Sequence, residues 1–290
     1  MTGAVQLRAG DEDILVIDCE SPNIISRLLR RLQKGCRIED LMASVEAEYH
    51  DDIFVLLDRL VKEGFLHTGR FSEKQNEIAR YLSNYSSLEQ EFLTRYSQIR
   101  ILVIAESASG QLMADALGEY GFSVSMEDDG RILRDSTQDT PSVVACIWEQ
   151  PSLTMAIDIN SEICRSRTPC LFIDLSHGRH ATVGPFYVPN ESACYQCFRS
   201  RWRENTVATE EYDAAEAAKR DPGTKLPSFG VLPGSRYHVV GISCSEIFAF
   251  FSRHRPLQTL NRIATVDLEG ARTWTEPCWR IPWCPACGAE

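Results

Sequence analysis

The sequence has no apolar run approaching the ~18 residues that a membrane span requires. Its opening, Met1-Thr2-Gly3-Ala4-Val5-Gln6, shows no basic stretch leading into an apolar one. Neither an anchor nor an export signal is expected, and the reading is a soluble protein of the cytoplasm with no membrane partner. Positive charge is scarce as well: 30 Lys and Arg stand against 41 Asp and Glu, a net charge of -11. Phosphate affinity rests on clustered Lys and Arg, so a general polyanion binder is excluded. Internal repeats and low-complexity tracts are missing. What remains is a globular mixture, 43% apolar and 24% charged. At about 150 residues per domain, the 290 residues make roughly two domains.

The first seventy residues read as a compact unit. Val5 to Arg8 and Ile14 to Asp18 are expected strands around the turn Ala9-Gly10-Asp11-Glu12. Ser21 before Pro22 is an N-cap with proline at the first helical position, and the helix Asn23 to Gln33 stops at Gly35. Helices follow over Arg37 to Tyr49 and Asp51 to Glu63. In the second of these Leu56, Leu57, Leu60 and Val61 recur at core-facing spacing. Phe65 to Gly69 returns as a wing, completing a winged-helix arrangement. Its third helix carries Asp51, Asp52, Asp58 and Glu63 against Arg59 and Lys62, and the helix before it adds Glu39, Asp40, Glu46 and Glu48. Phosphate would be repelled, so nucleic acid is not an expected partner. An exposed strand edge beside an amphipathic helix suits an added peptide strand better, with a purely structural role as the plain alternative. A helical connector, Phe71 to Tyr96, leads onward.

Strands are then expected over Ile99 to Ala105, Phe122 to Met126, Val143 to Trp148 and Cys170 to Leu175, and helices over Gln111 to Gly118 and Thr154 to Arg167. This alternation predicts an α/β domain with a mostly parallel sheet covered on both faces. Asp221 to Ser235 reads as a loop, and Val239 to Phe251 as a helical run.

Cysteine is abundant, with 11 in a chain lacking an export signal, which favours thiols and metal ligands over disulfides. Cys19, Cys36, Cys146, Cys164, Cys170 and Cys244 read as small buried thiols. Cys194-Tyr195-Gln196-Cys197 and Cys284-Pro285-Ala286-Cys287 are two C-x-x-C pairs, together the four soft ligands of a closed structural zinc site. The 86 residues between them make a clip rather than a small finger. A redox dithiol is the competing reading, and Cys278 is the one substitute ligand nearby. The place for a phosphate loop holds Ala105-Glu106-Ser107-Ala108-Ser109-Gly110. Only the third glycine of a G-x-G-x-x-G loop is kept; Ala105 and Ser107 intrude where backbone would approach pyrophosphate. Glu127 or Asp128 could still hold a ribose, but ATP is not expected in this chain.

Gly184-Pro185-Phe186-Tyr187-Val188-Pro189 leading into Cys194-x-x-Cys197, the ending Ile281 to Gly288, and the spacing of Asn160, Cys164 and Pro169 resemble the ThiF and ubiquitin-activating-enzyme fold. With the acidic winged-helix front piece, the chain resembles the leader-peptide-binding partner of azole-forming, YcaO-type cyclodehydratases in ribosomally made peptide natural products. The resemblance implies a winged-helix leader-recognition domain (1–72), a connector (73–97) and a degenerate ThiF-like, Rossmann-type domain with structural zinc (98–290). It implies as partners a precursor-peptide leader, a YcaO-type cyclodehydratase and, in some systems, a flavin dehydrogenase; homodimers are common in the fold. The leader would lie along Ile14 and Val16 and against Ile53, Phe54 and Leu57, with an exposed Ile53 or Phe54 receiving its apolar anchors. Activating enzymes of the fold use an aspartate and an arginine whose positions fall here at Pro151 and Ala156. Many also use a cysteine, and none occurs between Cys197 and Cys244. No catalytic residue is therefore assigned. The rivals are an active adenylating enzyme acting on a peptide or carrier-protein carboxylate, and a zinc-clipped DNA-binding regulator.

Overall fold

Continuous apolar runs need cover on both faces, and that requirement organises the larger part of the chain. The computed structural model describes residues 3–9, 13–63, 65–66, 73–82, 92, 95–130, 133, 141–149, 153–220, 230–270 and 272–288. They belong to two compact units, Met1–Leu93 and Thr94–Glu290.

In the first unit β1 (Gly3–Ala9) and β2 (Asp13–Cys19) pair antiparallel, Val5 opposite Ile17 and Leu7 opposite Leu15. Strand alternation buries Leu15 and leaves Ile14 and Val16 exposed on the other face. α1 (Pro22–Leu32) starts with proline in its first turn. Ser21 makes no side-chain cap bond; its backbone carbonyl accepts from the Ile24 and Ile25 amides instead. The helix expected over Arg37 to Tyr49 needs correction: α2 covers only Ile38–Met42, and a 3-10 turn follows at Ala47–Tyr49. The Ser44 hydroxyl donates to the Leu41 carbonyl at 2.7 Å, and His50 Nε2 sits 3.1 Å from the Met42 carbonyl. Side chains thus take up carbonyls that a continuing helix would have used. α3 (His50–Lys62) buries Ile53, Leu57 and Leu60. The first two join Leu28, Leu41 and Met42 in one cluster, and Leu60 joins Leu15 and Leu29 in another. The Phe65 and Leu66 amides both donate to the Leu60 carbonyl and end the helix. The wing expected over Phe65 to Gly69 otherwise lies outside the described residues, as does the turn at residues 10–12. α4 (Glu73–Leu82) covers part of the expected connector.

The second unit carries a seven-stranded sheet. Its strands are β3 (Arg100–Ile104), β4 (Ser123–Glu127), β5 (Val143–Trp148), β6 (Cys170–His177), β7 (His180–Tyr187), β8 (Arg262–Asp267) and β9 (Arg272–Pro277), in the order β4-β3-β5-β6-β7-β8-β9. The pairs from β4 to β6 are parallel; those from β6 to β9 are antiparallel. The mostly parallel sheet expected from the alternation is therefore a mixed one. Only Gly178 and Arg179 separate β6 from β7, and so short a connection can join only antiparallel neighbours. The helices are α5 (Ala108–Glu119), α6 (Leu153–Ser166), α7 (Tyr195–Asn205), α8 (Thr209–Arg220) and α9 (Pro233–Ser252). α5 packs with α9, while α6, α7 and α8 pack with one another. Right-handed crossovers leaving β3 and β5 in opposite directions put the two groups on opposite faces. α9 starts inside the loop expected over Asp221 to Ser235, with Pro233 in its first turn; residues 221–229 are outside the described set.

Cys146, Cys164, Cys170 and Cys244 are buried thiols. Cys36 is exposed and Cys19 half-buried, against expectation: one lies in the turn after α1 and the other at the end of β2, where little packs over them. Among the described residues no helix is long and apolar enough to cross a membrane.

Candidate functional site

Cys194 is the N-cap of α7 and Cys197 lies in its first turn, so one helix end presents both thiols. Cys284 and Cys287 lie on a tight turn. The Gly288 amide donates to the Cys284 carbonyl at 2.7 Å, and a Cβ on Gly288 would meet that oxygen at 2.5 Å, so only glycine fits. All four sulfurs fall within 4.8 Å of one another, and all four side chains are buried. Separations of 3.9 Å (Cys194–Cys197), 3.7 Å (Cys194–Cys284) and 3.4 Å (Cys197–Cys287) approach the ~3.8 Å between sulfurs that surround an ion tetrahedrally at about 2.3 Å. The donor set fits a thiophilic divalent ion and leaves no position for water. The Cys194 hydrogen bond, first among those the thiols share, helps lower Cys287 to about 7. Cys194, bonded to Cys164, Cys197, Cys284 and Cys287, is pushed up. Hydrogen bonds from Cys194, Cys197 and Cys287 hold Cys284 well below the ordinary thiol range, so two thiolates are favoured by their neighbours, but four in an apolar pocket require a cation.

The surroundings brace this cluster. Asn160 Oδ1 accepts from the Tyr195 amide at 3.0 Å, fixing the start of α7. Arg280 Nε donates to the Cys287 carbonyl at 3.0 Å and Nη1 to the Asn190 carbonyl at 3.1 Å, tying the two chain segments together. Nothing in the local sequence marks Arg280 for that role. Cys278 is buried but stands outside the cluster, its amide bonded to the Asn261 carbonyl.

Strand order reverses between β3 and β5, and the crevice beyond their carboxyl ends is where open α/β sheets take ligands. Ala105 is buried there, Ser107 is the N-cap of α5, and Gly110 sits in its first turn. A Cβ on Gly110 would collide with that of Ala105. The retained glycine thus serves the close packing of helix on strand. Glu149, just past β5, enters the same place. Its Oε1 accepts from the Ser109 hydroxyl at 2.5 Å and the Ser109 amide at 3.3 Å. Arg236, from the first turn of α9, donates to both carboxylate oxygens at 3.0 and 3.1 Å. Burial opposes ionisation of Glu149, but the Arg236 and Ser109 bonds and the guanidinium charge outweigh it and hold the carboxyl below its ordinary range. Gly130 approaches Ile104 and Leu133, and Leu133 is buried in one core cluster with Ile104, Trp148 and Ala156. Ala156, where the resemblance places the arginine of activating enzymes, is buried core; Pro151 lies outside the described residues. Sequence reasoning missed Glu149, Arg236 and Leu133, which carry no motif.

In the first unit Ile14, Val16 and Phe54 are each about half exposed, at 48%, 49% and 50%, and Val55 is 70% exposed. Ile53 is 3% exposed and Leu57 7%. The expectation of an exposed Ile53 is thus corrected: it points from α3 into the Leu28–Leu41–Met42 cluster, as does Leu57. The residue missed is Val55. A cavity of about 600 Å³ in the second unit is lined by α9 residues such as Tyr237 and Glu246 and by Thr273 and Thr275 of β9.

Neither a protein-family model nor a curated protein matches the chain. Solved structures do match in fold. The heterocyclase TruD is 20% identical with a TM-score of 0.69, over 99% of this chain and 42% of its own. A heterocyclase in complex with substrate and cofactor is 17% identical with a TM-score of 0.67, over 98% of this chain and 37% of its own. The chain therefore spans about two fifths of the length of these heterocyclases. MccB of E. coli is 11% identical with a TM-score of 0.60, over 100% of this chain and 95% of its own. The mixed α/β fold with its seven-stranded sheet is the fold these structures share with the chain.

Proposed function

We propose that the chain is a leader-peptide-binding scaffold with no chemistry of its own, serving a YcaO-type cyclodehydratase that forms thiazolines or oxazolines from Cys, Ser or Thr. The observation that carries this reading is a set of exposed apolar side chains in an acidic setting. Ile14 and Val16 on one face of the hairpin, and Phe54 and Val55 on α3, are exposed beside Asp51, Asp52 and Asp58. Among the described residues β2 pairs with β1 alone. A leader strand added along β2 gains main-chain hydrogen bonds, and its apolar anchors reach Phe54 and Val55. The first unit then acts as a winged-helix recognition domain. Zinc at Cys194, Cys197, Cys284 and Cys287 acts as a structural clip in the second, onto which the cyclodehydratase docks. Tethering the leader raises the effective concentration of the core peptide at the partner's active site. Likeness in fold to two heterocyclases, over nearly all of this chain, supports the assignment.

The test is fluorescence anisotropy of a labelled candidate leader with the full chain. Val16→Asp and Phe54→Asp should each weaken binding about tenfold or more, the loss of one well-buried apolar anchor. Absence of binding to the full chain refutes the proposal. An adenylating enzyme is the second reading, favoured because the chain spans 98% of MccB, which has been solved with ATP. That reading requires ATP–pyrophosphate exchange. Buried Ala156 and the Glu149–Arg236 pair count against it.

A further inference from the structure

We propose that Glu149 is a built-in anion that fills the phosphate position at the start of α5 and, with Arg236, keeps the crevice closed to nucleotides. The first turn of a helix that follows a strand at a switch point offers free amides and a positive dipole end, a ready anion site. Here the anion is part of the chain. The Glu149 carboxylate accepts the Ser109 amide and hydroxyl from that turn. The bidentate guanidinium of Arg236 completes a cradle of donors of the kind that grips phosphate. The Ser107 hydroxyl at the helix N-cap is buried with no partner among the described residues, a further donor already facing the interior. Leu133 fills the apolar side of the crevice with Ile104 and Trp148. An incoming phosphate must displace a carboxylate tethered in place, against like-charge repulsion. The lost loop glycines and this internal anion therefore act in the same direction. The inference concerns the second unit alone and is independent of leader binding.

Removing the carboxylate should turn the plug into a site. The measurement is binding of inorganic phosphate, and separately of ATP, to the full-length chain by calorimetry at constant ionic strength, with folding checked by circular dichroism and metal content. Wild type should show no saturable binding. Glu149→Ala should bind phosphate at least about tenfold more tightly, the scale of one charge-assisted hydrogen bond. Adding Arg236→Gln should abolish the gain. Glu149→Gln keeps an acceptor for Ser109 while removing the charge. If Glu149→Ala fails to fold, phosphate should raise the melting temperature of Glu149→Gln but not of wild type. A folded variant without gain, wild-type binding as tight as the variant's, or a gain that survives loss of Arg236 would each overturn the proposal.

Discussion

Replacing Cys197 with serine probes the proposed metal clip most directly. Cys197 is fully buried, its sulfur lies 3.4 Å from that of Cys287, and it also accepts the Ile281 amide at 3.4 Å. Serine is nearly isosteric, but its hydroxyl does not ionise near neutral pH, so the site would keep three thiolates and one neutral oxygen. Structural zinc sites contribute ~10–16 kcal/mol at neutral pH; shared among four ligands, that is about 2.5–4 kcal/mol each. The expected loss in zinc affinity is therefore about two to three orders of magnitude. Because binding and folding are linked, the loss should appear as a lower melting temperature and as faster amide exchange over residues 278–288, which are otherwise held by the Arg201–Trp279 carbonyl bond from α7 and the Arg280–Asn190 carbonyl bond. Zinc per chain is read by elemental analysis after dialysis against a chelator. Wild type should retain about one equivalent and Cys197→Ser essentially none. Cys278→Ser, outside the cluster, should match wild type. A wild-type chain that holds no metal, or a Cys197→Ser chain that keeps a full equivalent, refutes the clip.

Three further outcomes follow from the packing and the charges. Gly110→Ala should cost about 1–3 kcal/mol by overpacking, seen in thermal melting, and Ala105→Gly in the same chain should recover part of it because the colliding Cβ is then gone. Ile53→Ala should lower exchange protection across α1 to α3 by about 2–4 kcal/mol, whereas Phe54→Ala, half exposed, should change it by less than about 1 kcal/mol. Glu149 sits below its ordinary value of 4.5. The stability it adds is complete above that pH and is lost as pH falls through the depressed folded value. The difference in melting temperature between wild type and Glu149→Gln should therefore vanish on acidification, and a difference that persists in acid contradicts the ion pair.

The parts of the fold legible in the sequence are those whose pattern reflects burial. β5 is buried at every position, and its run Val143–Trp148 is uninterrupted. β3 and the helix after it follow the same logic. β7 was missed because Gly184-Pro185 interrupts it, and proline normally marks an edge or an end of a strand. β9, Arg272–Pro277, is exposed at almost every position and has no apolar face to alternate. α2 ended early because Ser44 and His50 capture backbone carbonyls, a contest that periodicity does not register. The four cysteines were legible because two C-x-x-C pairs state their chemistry without any fold. Ile53 and Phe54 differed in exposure for a simpler reason: a helix rotates 100° between neighbours, and the face that meets α1 had to be known first.

Asn160 and Cys164 bear on how far a resemblance reaches. Both help to identify the fold in the sequence, and both lie against the cysteine cluster. Asn160 holds the first amide of α7, and Cys164 is buried in the same core as the four cysteines. Gly110 likewise packs a helix on a strand. Each task is packing or bracing within this chain and needs no catalysis. Fold-level likeness at 11–20% identity is therefore what such residues ought to produce, and it is silent on chemistry. Chemistry has to be argued from positions where scaffold and enzyme make opposite demands. A nucleotide site needs an open helix start and room beside β5, and the chain supplies Glu149, Arg236 and buried Ala156 there. A phosphate measurement on Glu149→Ala thus decides more about this protein than any further match in fold could.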